Sequence, residues 1–188
     1  MRQAIFAGAI LTFGALTSGG LTSPALAQAP APAANGAQAP KPRTSQFGDW
    51  VLICRQGRGP TAGQENCEIM QTYNLQGQSA PFAQIAIGRV SAKDPFNVTV
   101  VVPHNVSFPS TVNITTDDKG ANPLTLNWTR CLATGCFASA EFKDPAMKTW
   151  HGLSQKGRIA FKSATGQDVA LPLSFNGLGN ALDALMKK

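Results

Sequence analysis

Two close pairs of cysteines constrain this chain more than any other feature: Cys54 with Cys67, and Cys131 with Cys136. They follow what reads as an export signal, so they would meet an oxidising compartment and are expected as disulfides. Four cysteines allow three connectivities. Local pairing, Cys54–Cys67 and Cys131–Cys136, is the most economical, because each bridge then closes a turn between neighbouring strands. By the loop-entropy argument such bridges stabilise by about 3 and about 2 kcal/mol. The second pair has the spacing C-x4-C, which is neither a C-x-x-C redox site nor a zinc knuckle. A structural bridge is therefore expected there, with reducibility of a short loop as the alternative.

The export signal is expected over residues 1–27. Met1-Arg2 gives a positive start, residues 4–16 are apolar but too short to span a bilayer, and Ala25-Leu26-Ala27 is a small-x-small cleavage site. Cleavage after Ala27 would leave Gln28 as the N-terminus. No cysteine follows the apolar stretch, so no lipid anchor is expected, and no later stretch reads as a transmembrane helix. These features place the protein in the periplasm, outside the cell or on its surface. Residues 28–46 are rich in Ala and Pro without apolar periodicity and are expected to be a disordered linker. Residues 47–188 then form one domain, large enough for its own core.

Along that domain, short apolar or β-branched runs alternate with turn signals. Strands are expected over 47–55, 67–75, 82–90, 96–103, 111–116, 124–130, 136–142, 157–163 and 168–175. Asp144-Pro145 suggests an N-cap and first helical position for a short helix over 146–153. A last helix is expected after Asn176 as cap, with Leu178, Leu182, Leu185 and Met186 as its apolar stripe. Such a short helix is marginal alone and should dock on the sheet. The pattern is all-β, an antiparallel sandwich or barrel with two short helices, one at the C-terminus.

Chemistry is sparse. There is no G-x-S-x-G, no H-E-x-x-H and no phosphate-binding glycine loop. His104 and His151 are the only histidines, and neither has a partner at metal-ligand spacing. No catalytic residue, metal or cofactor is expected. Trp50, Trp128 and Trp150 could form an aromatic platform for sugars or bases, but the first two lie in strands beside cysteines, which favours core packing. The net charge is +6, spread over residues such as Arg55, Arg89, Lys93, Arg130 and Arg158 with no basic run. Anionic lipid, glycan or nucleic acid could respond to it, yet solubility alone accounts for it and no specific nucleic-acid partner is expected. Sequons at Asn97, Asn105, Asn113 and Asn127 fall largely on the polar phase of strands, and no glycans are expected.

Four stretches resemble the invasion-associated locus B family: F-G-D-W-V-L-I-C (47–54), C-E-I-M-Q (67–71), W-T-R-C-L-A-T-G-C-F-A (128–138) and L-P-L-S-F-N-G-L-G-N-A-L-D-A-L (171–185). The R-C-L-x-x-G-C-F-A core is the most specific. The segment 104–114 departs from the glycine-containing turn that the family pattern places there. The resemblance implies an exported alphaproteobacterial protein with an immunoglobulin-like β-sandwich, in which Cys54, Cys67, Cys131 and Cys136 form the disulfides; it carries over no catalytic residue. The export signal, the fold pattern and the lack of a catalytic constellation point to a non-enzymatic protein that binds an unidentified protein or cell-surface partner, in host-cell invasion, to which the resemblance links some family members, or in envelope maintenance. Three rivals are an enzyme built around His104 or His151, a periplasmic chaperone offering a sheet edge, and a protein that binds anionic lipid.

Overall fold

The computed structural model describes residues 41–57, 62–77, 80–117 and 123–188, all within the unit Gln38–Lys188. The expected signal peptide, most of the expected linker and parts of two expected turns (58–61 and 118–122) lie outside the described residues. Ten strands form one antiparallel ladder: β1 (Arg43–Phe47), β2 (Trp50–Gln56), β3 (Glu65–Tyr73), β4 (Ala83–Gly88), β5 (Asn97–Val102), β6 (Thr111–Thr115), β7 (Leu124–Leu132), β8 (Gly135–Glu141), β9 (Lys156–Lys162) and β10 (Asp168–Ser174). Helix α1 (Asp144–His151) precedes β9, and α2 (Leu178–Met186) ends the chain. The ladder runs β1-β2-β3-β4-β5-β8-β7-β6-β9-β10.

The strands alternate buried and half-exposed residues, as a sheet with one packed face requires. Ile69, Ile85, Val98, Val100 and Leu126 from one part of the ladder share a single core with Ile114, Ile159 and Leu173 from the other. The ladder therefore folds back on itself as a β-sandwich. Side chains on the packed face of β2 and β3 hold the end of β10 in place. Trp50 Nε1 donates to the Ser174 carbonyl at 2.8 Å, and the Gln71 amide, also buried, bonds to the Ser174 main chain. Helix α2 packs on β1, β2, β3 and α1 and buries Leu178, Ala181, Leu182 and Leu185.

Several sequence expectations change. Residues 43–46, expected as linker, belong to β1, because their main chain pairs with β2 from Arg43↔Cys54 to Phe47↔Trp50. Asp144 lies inside the first turn of α1 and Lys143 is the cap residue, with no side-chain cap bond. Asn176 does not cap α2; Gly177 does, in the left-handed region at φ 82°. A Cβ at Gly177 would lie 2.2 Å from the Phe47 carbonyl oxygen, so only glycine fits this approach. Ala181 replaces Met186 in the buried stripe; Met186 is exposed. Residues 103–110 are a crossover rather than a hairpin, because β8 and β7 lie between β5 and β6.

Candidate binding face

The outward phase of β2, β3, β4, β5, β8 and β7 forms a broad sheet face. Strand register arranges its side chains in rows. One row runs Thr72, Gln84, Val101, Phe137, Arg130; the next runs Met70, Ala86, Thr99, Ser139. A third runs Glu68, Gly88, Asn97, Glu141. The small residues Ala86 and Gly88 lower the middle, and an open groove of about 730 Å³ results. Arg55, Arg89 and Arg130 line it, against Glu68 as the acidic lining residue.

The arginines are held differently. Arg55 Nη1 donates to Glu68 Oε1 across the β2–β3 pair. Arg89 lies over the Phe96 ring at 4.7 Å and donates to the Ala92 carbonyl at 3.1 Å. Arg130 lies over the Phe137 ring at 5.0 Å. Stacking fixes a planar guanidinium while leaving edge N–H groups available. A second cavity of about 380 Å³ shares Asn66, Cys67 and Arg89 with the groove and adds Lys93 and Lys188. Its acidic lining residue, Glu65, is paired with Arg43.

Other candidates from the sequence fall elsewhere. The sulfurs of Cys54 and Cys67, and those of Cys131 and Cys136, lie at disulfide distance, each pair directly opposed in its hairpin. Glu65 lies beside Cys54 and Cys67, but sulfurs joined to each other are not thiolate ligands. His151 Nε2 lies 2.9 Å from Asp183 Oδ1 on the exposed seam between α1 and α2. His104 Nε2 lies 2.6 Å from the Leu132 carbonyl. The two histidines sit on different loops or helices and neither lines the groove.

The tryptophans do not form a platform. Trp50 and Trp150 are buried, the latter against Phe142 and Phe175. Trp128, expected in the core, is half-buried and packs against it; its ring lies 5.6 Å from exposed Phe108 and its Nε1 donates to Ser110 Oγ. The convergence of Arg55, Arg89 and Arg130 was not legible as a motif, because they are far apart in sequence. The one usable signal was strand alternation, which puts Arg55 on the polar phase; in β7 it would put Arg130 on the same phase as buried Leu126, and the register shift between Trp128 and Arg130 is what turns Arg130 outward beside Phe137.

The sequence pattern of the invasion associated locus B (IalB) protein family matches residues 50–186. The chain belongs to the invasion associated locus B family. No curated protein sequence matches it. Among solved structures, the crystal structure of invasion associated protein B from Bartonella henselae is similar at 18% identity and a TM-score of 0.63. That likeness covers 77% of this chain and 95% of the other, and concerns the fold.

Seen in this invasion associated locus B chain, the stretches that carry the resemblance are scaffold. Phe47-Gly48-Asp49-Trp50 closes on Ser174-Phe175-Asn176-Gly177: Asp49 N–H donates to the Asn176 carbonyl at 3.1 Å, and Ser174 Oγ donates to Asp49 Oδ2 at 2.5 Å. In the central cysteine turn Gly135, at φ 139°, approaches the Val102 carbonyl so closely that a Cβ would lie 2.5 Å from the oxygen. The groove is lined mostly by residues outside these stretches. Family membership therefore accounts for the frame more than for the surface chemistry.

Proposed function

We propose that this chain is an exported, non-enzymatic binding protein that holds a macromolecular partner on its cationic sheet face, in host-cell invasion or envelope maintenance. The groove with Arg55, Arg89 and Arg130 on one sheet, which carries two cysteine pairs at disulfide distance, is the observation that carries this reading. Preorganised charge on strands suits recognition. Membership of the invasion associated locus B family supports the link to invasion. Cleavage after Ala27 would deliver the chain to an oxidising compartment, where both cysteine pairs can close.

The rivals are less well supported. His151 and Asp183 are about half-exposed, at 44% and 49% for their side chains, so their pair lacks the desolvated setting that acid–base catalysis exploits. Strand addition needs a long, uncharged edge. β10 carries Asp168 and the donor-less Pro172, and β1 spans five residues and carries Arg43.

The test is a cross-linking pull-down with the oxidised, exported protein, presented separately to the bacterium's envelope proteins and to host-cell membranes. A saturable partner that is lost in R89A/R130A is expected. A partner in host membranes supports invasion, and one in the envelope supports maintenance. A partner retained by R89A/R130A overturns the assignment of the face.

A further inference from the structure

We propose that the cationic cleft takes an acidic polysaccharide, a sugar chain bearing sulfate or uronate groups. This rests on the binding-face reading above and names the class of ligand. Shape comes first. The groove of about 730 Å³ and a cavity of about 380 Å³ share Asn66, Cys67 and Arg89, so the two openings adjoin there. An open groove suits a chain better than a compact metabolite, which calls for an enclosed pocket.

Charge comes second. Glu65 and Glu68 are each engaged by an arginine, Arg43 and Arg55. Among the described residues no carboxylate pairs with Arg89 or Arg130. Both guanidinium groups are stacked on rings, which leaves fork edges to grip a sulfate or carboxylate through two parallel hydrogen bonds. Lys93 and Lys188 add positive charge in the adjoining cavity.

The floor supplies what a sugar chain needs besides charge. Gln84 offers its amide, Asn97 keeps an amide oxygen beside the bond its Nδ2 donates to the Pro95 carbonyl, Thr99 shares its hydroxyl with Ser139, and Ala86 and Gly88 between them leave room for a ring. Two other polyanions fit less well. Single-stranded nucleic acid gains its affinity from bases stacked on open aromatic faces, and here guanidinium groups cover Phe96 and Phe137. A peptide added as a strand needs a free sheet edge, and this cleft lies on a face whose main chain is already paired within the ladder; an acidic peptide gripped by arginine side chains alone is the case that polyglutamate tests below.

Binding of labelled probes to the oxidised, exported protein at physiological salt tests this. The probes are heparin (sulfate and uronate), polygalacturonate (uronate alone), neutral dextran, polyglutamate and a single-stranded oligonucleotide. Two variants remove equal charge: R89A/R130A inside the cleft, and K148A/K156A outside it. Arg130, Lys148 and Lys156 are exposed and Arg89 is half-buried, and matched thermal unfolding verifies the fold. The expected result is binding of heparin or polygalacturonate in preference to the other three, weakened about tenfold or more by R89A/R130A and little by K148A/K156A. Heparin alone identifies sulfate as the recognised group, and binding of both identifies the carboxylate. Equal losses in the two variants, or equal binding of oligonucleotide or polyglutamate, overturn the proposal. If no glycan binds while R89A/R130A still loses its cross-linked protein partner, the polysaccharide assignment falls and the binding-face reading stands. If R89A/R130A changes neither measurement, both fall.

Discussion

The side-chain amide of Gln71 clasps the main chain of Ser174. Ser174 N–H donates to Gln71 Oε1 at 3.1 Å, and Gln71 Nε2 donates to the Ser174 carbonyl at 3.3 Å. One buried side chain thus does for the end of β10 what a neighbouring strand would do. It joins β3 to the far end of the ladder and so holds the two layers together. Tyr73 adds a third bond, donating its hydroxyl to the same Oε1 at 2.9 Å.

Removing that amide takes their partner from the Ser174 N–H and the Tyr73 hydroxyl, while the Ser174 carbonyl keeps its bond from Trp50 Nε1. Gln71→Leu keeps much of the volume and is expected to destabilise the fold by about 1–3 kcal/mol, the usual cost of unsatisfied buried polar groups. Urea unfolding measures it. A midpoint unchanged from the parent would show that the clasp contributes nothing.

Tyr73 gives the fold a sensitivity to alkali. Burial pushes its hydroxyl well above the ordinary value. The unfolded phenol ionises at about pH 10 and the folded one only higher. The folded state therefore keeps the proton longer, and the stability linked to it is complete below about pH 10 and is lost as pH rises beyond that. Tyr73→Phe should be less stable than the parent at neutral pH by about 1 kcal/mol, for the lost hydroxyl bond. The gap should narrow in alkali. Tyr73 is the chain's single tyrosine, so phenolate absorbance follows it directly, and a transition at the free-tyrosine pH in folded protein would refute the shift.

Gly135 and Gly166 both have positive φ but differ in surroundings. A Cβ at Gly166 meets nothing within 4 Å, whereas one at Gly135 meets the Val102 carbonyl at 2.5 Å. Gly166→Ala should cost about 1 kcal/mol of backbone strain, and Gly135→Ala clearly more, because β5 and β8 must separate to admit the methyl group. Equal thermal shifts in the two variants would contradict this.

The two cysteine pairs should differ in accessibility to reductant. Cys54, Cys67 and Cys136 are buried, and Cys131 is exposed. Peptide mapping without reductant is expected to recover Cys54–Cys67 and Cys131–Cys136. Under mild thiol the second should open first, because attack needs access to a sulfur. Recovery of a Cys54–Cys131 peptide would exclude this arrangement.

N-terminal sequencing of the protein recovered from the periplasm or medium is expected to begin at Gln28. A start at Met1 in exported material would replace the cleaved signal by an anchor.

The sequence by itself determined the β-rich class, nearly every strand and both helices, because alternation and turn residues are local signals. It also determined the family, since short stretches around Trp50, Cys131 and Gly177 carry it. The tertiary structure decided what local signals cannot encode. β1 emerges from an Ala/Pro-rich stretch because β2 supplies its partner. Gly177 rather than Asn176 caps α2 because the Phe47 carbonyl leaves no room for a side chain. Arg55, Arg89 and Arg130 look scattered along the chain and come to line one groove only when β2, the end of β4 and β7 are laid into one sheet. A surface of this kind depends on strand order and register, and those are set by non-local pairing.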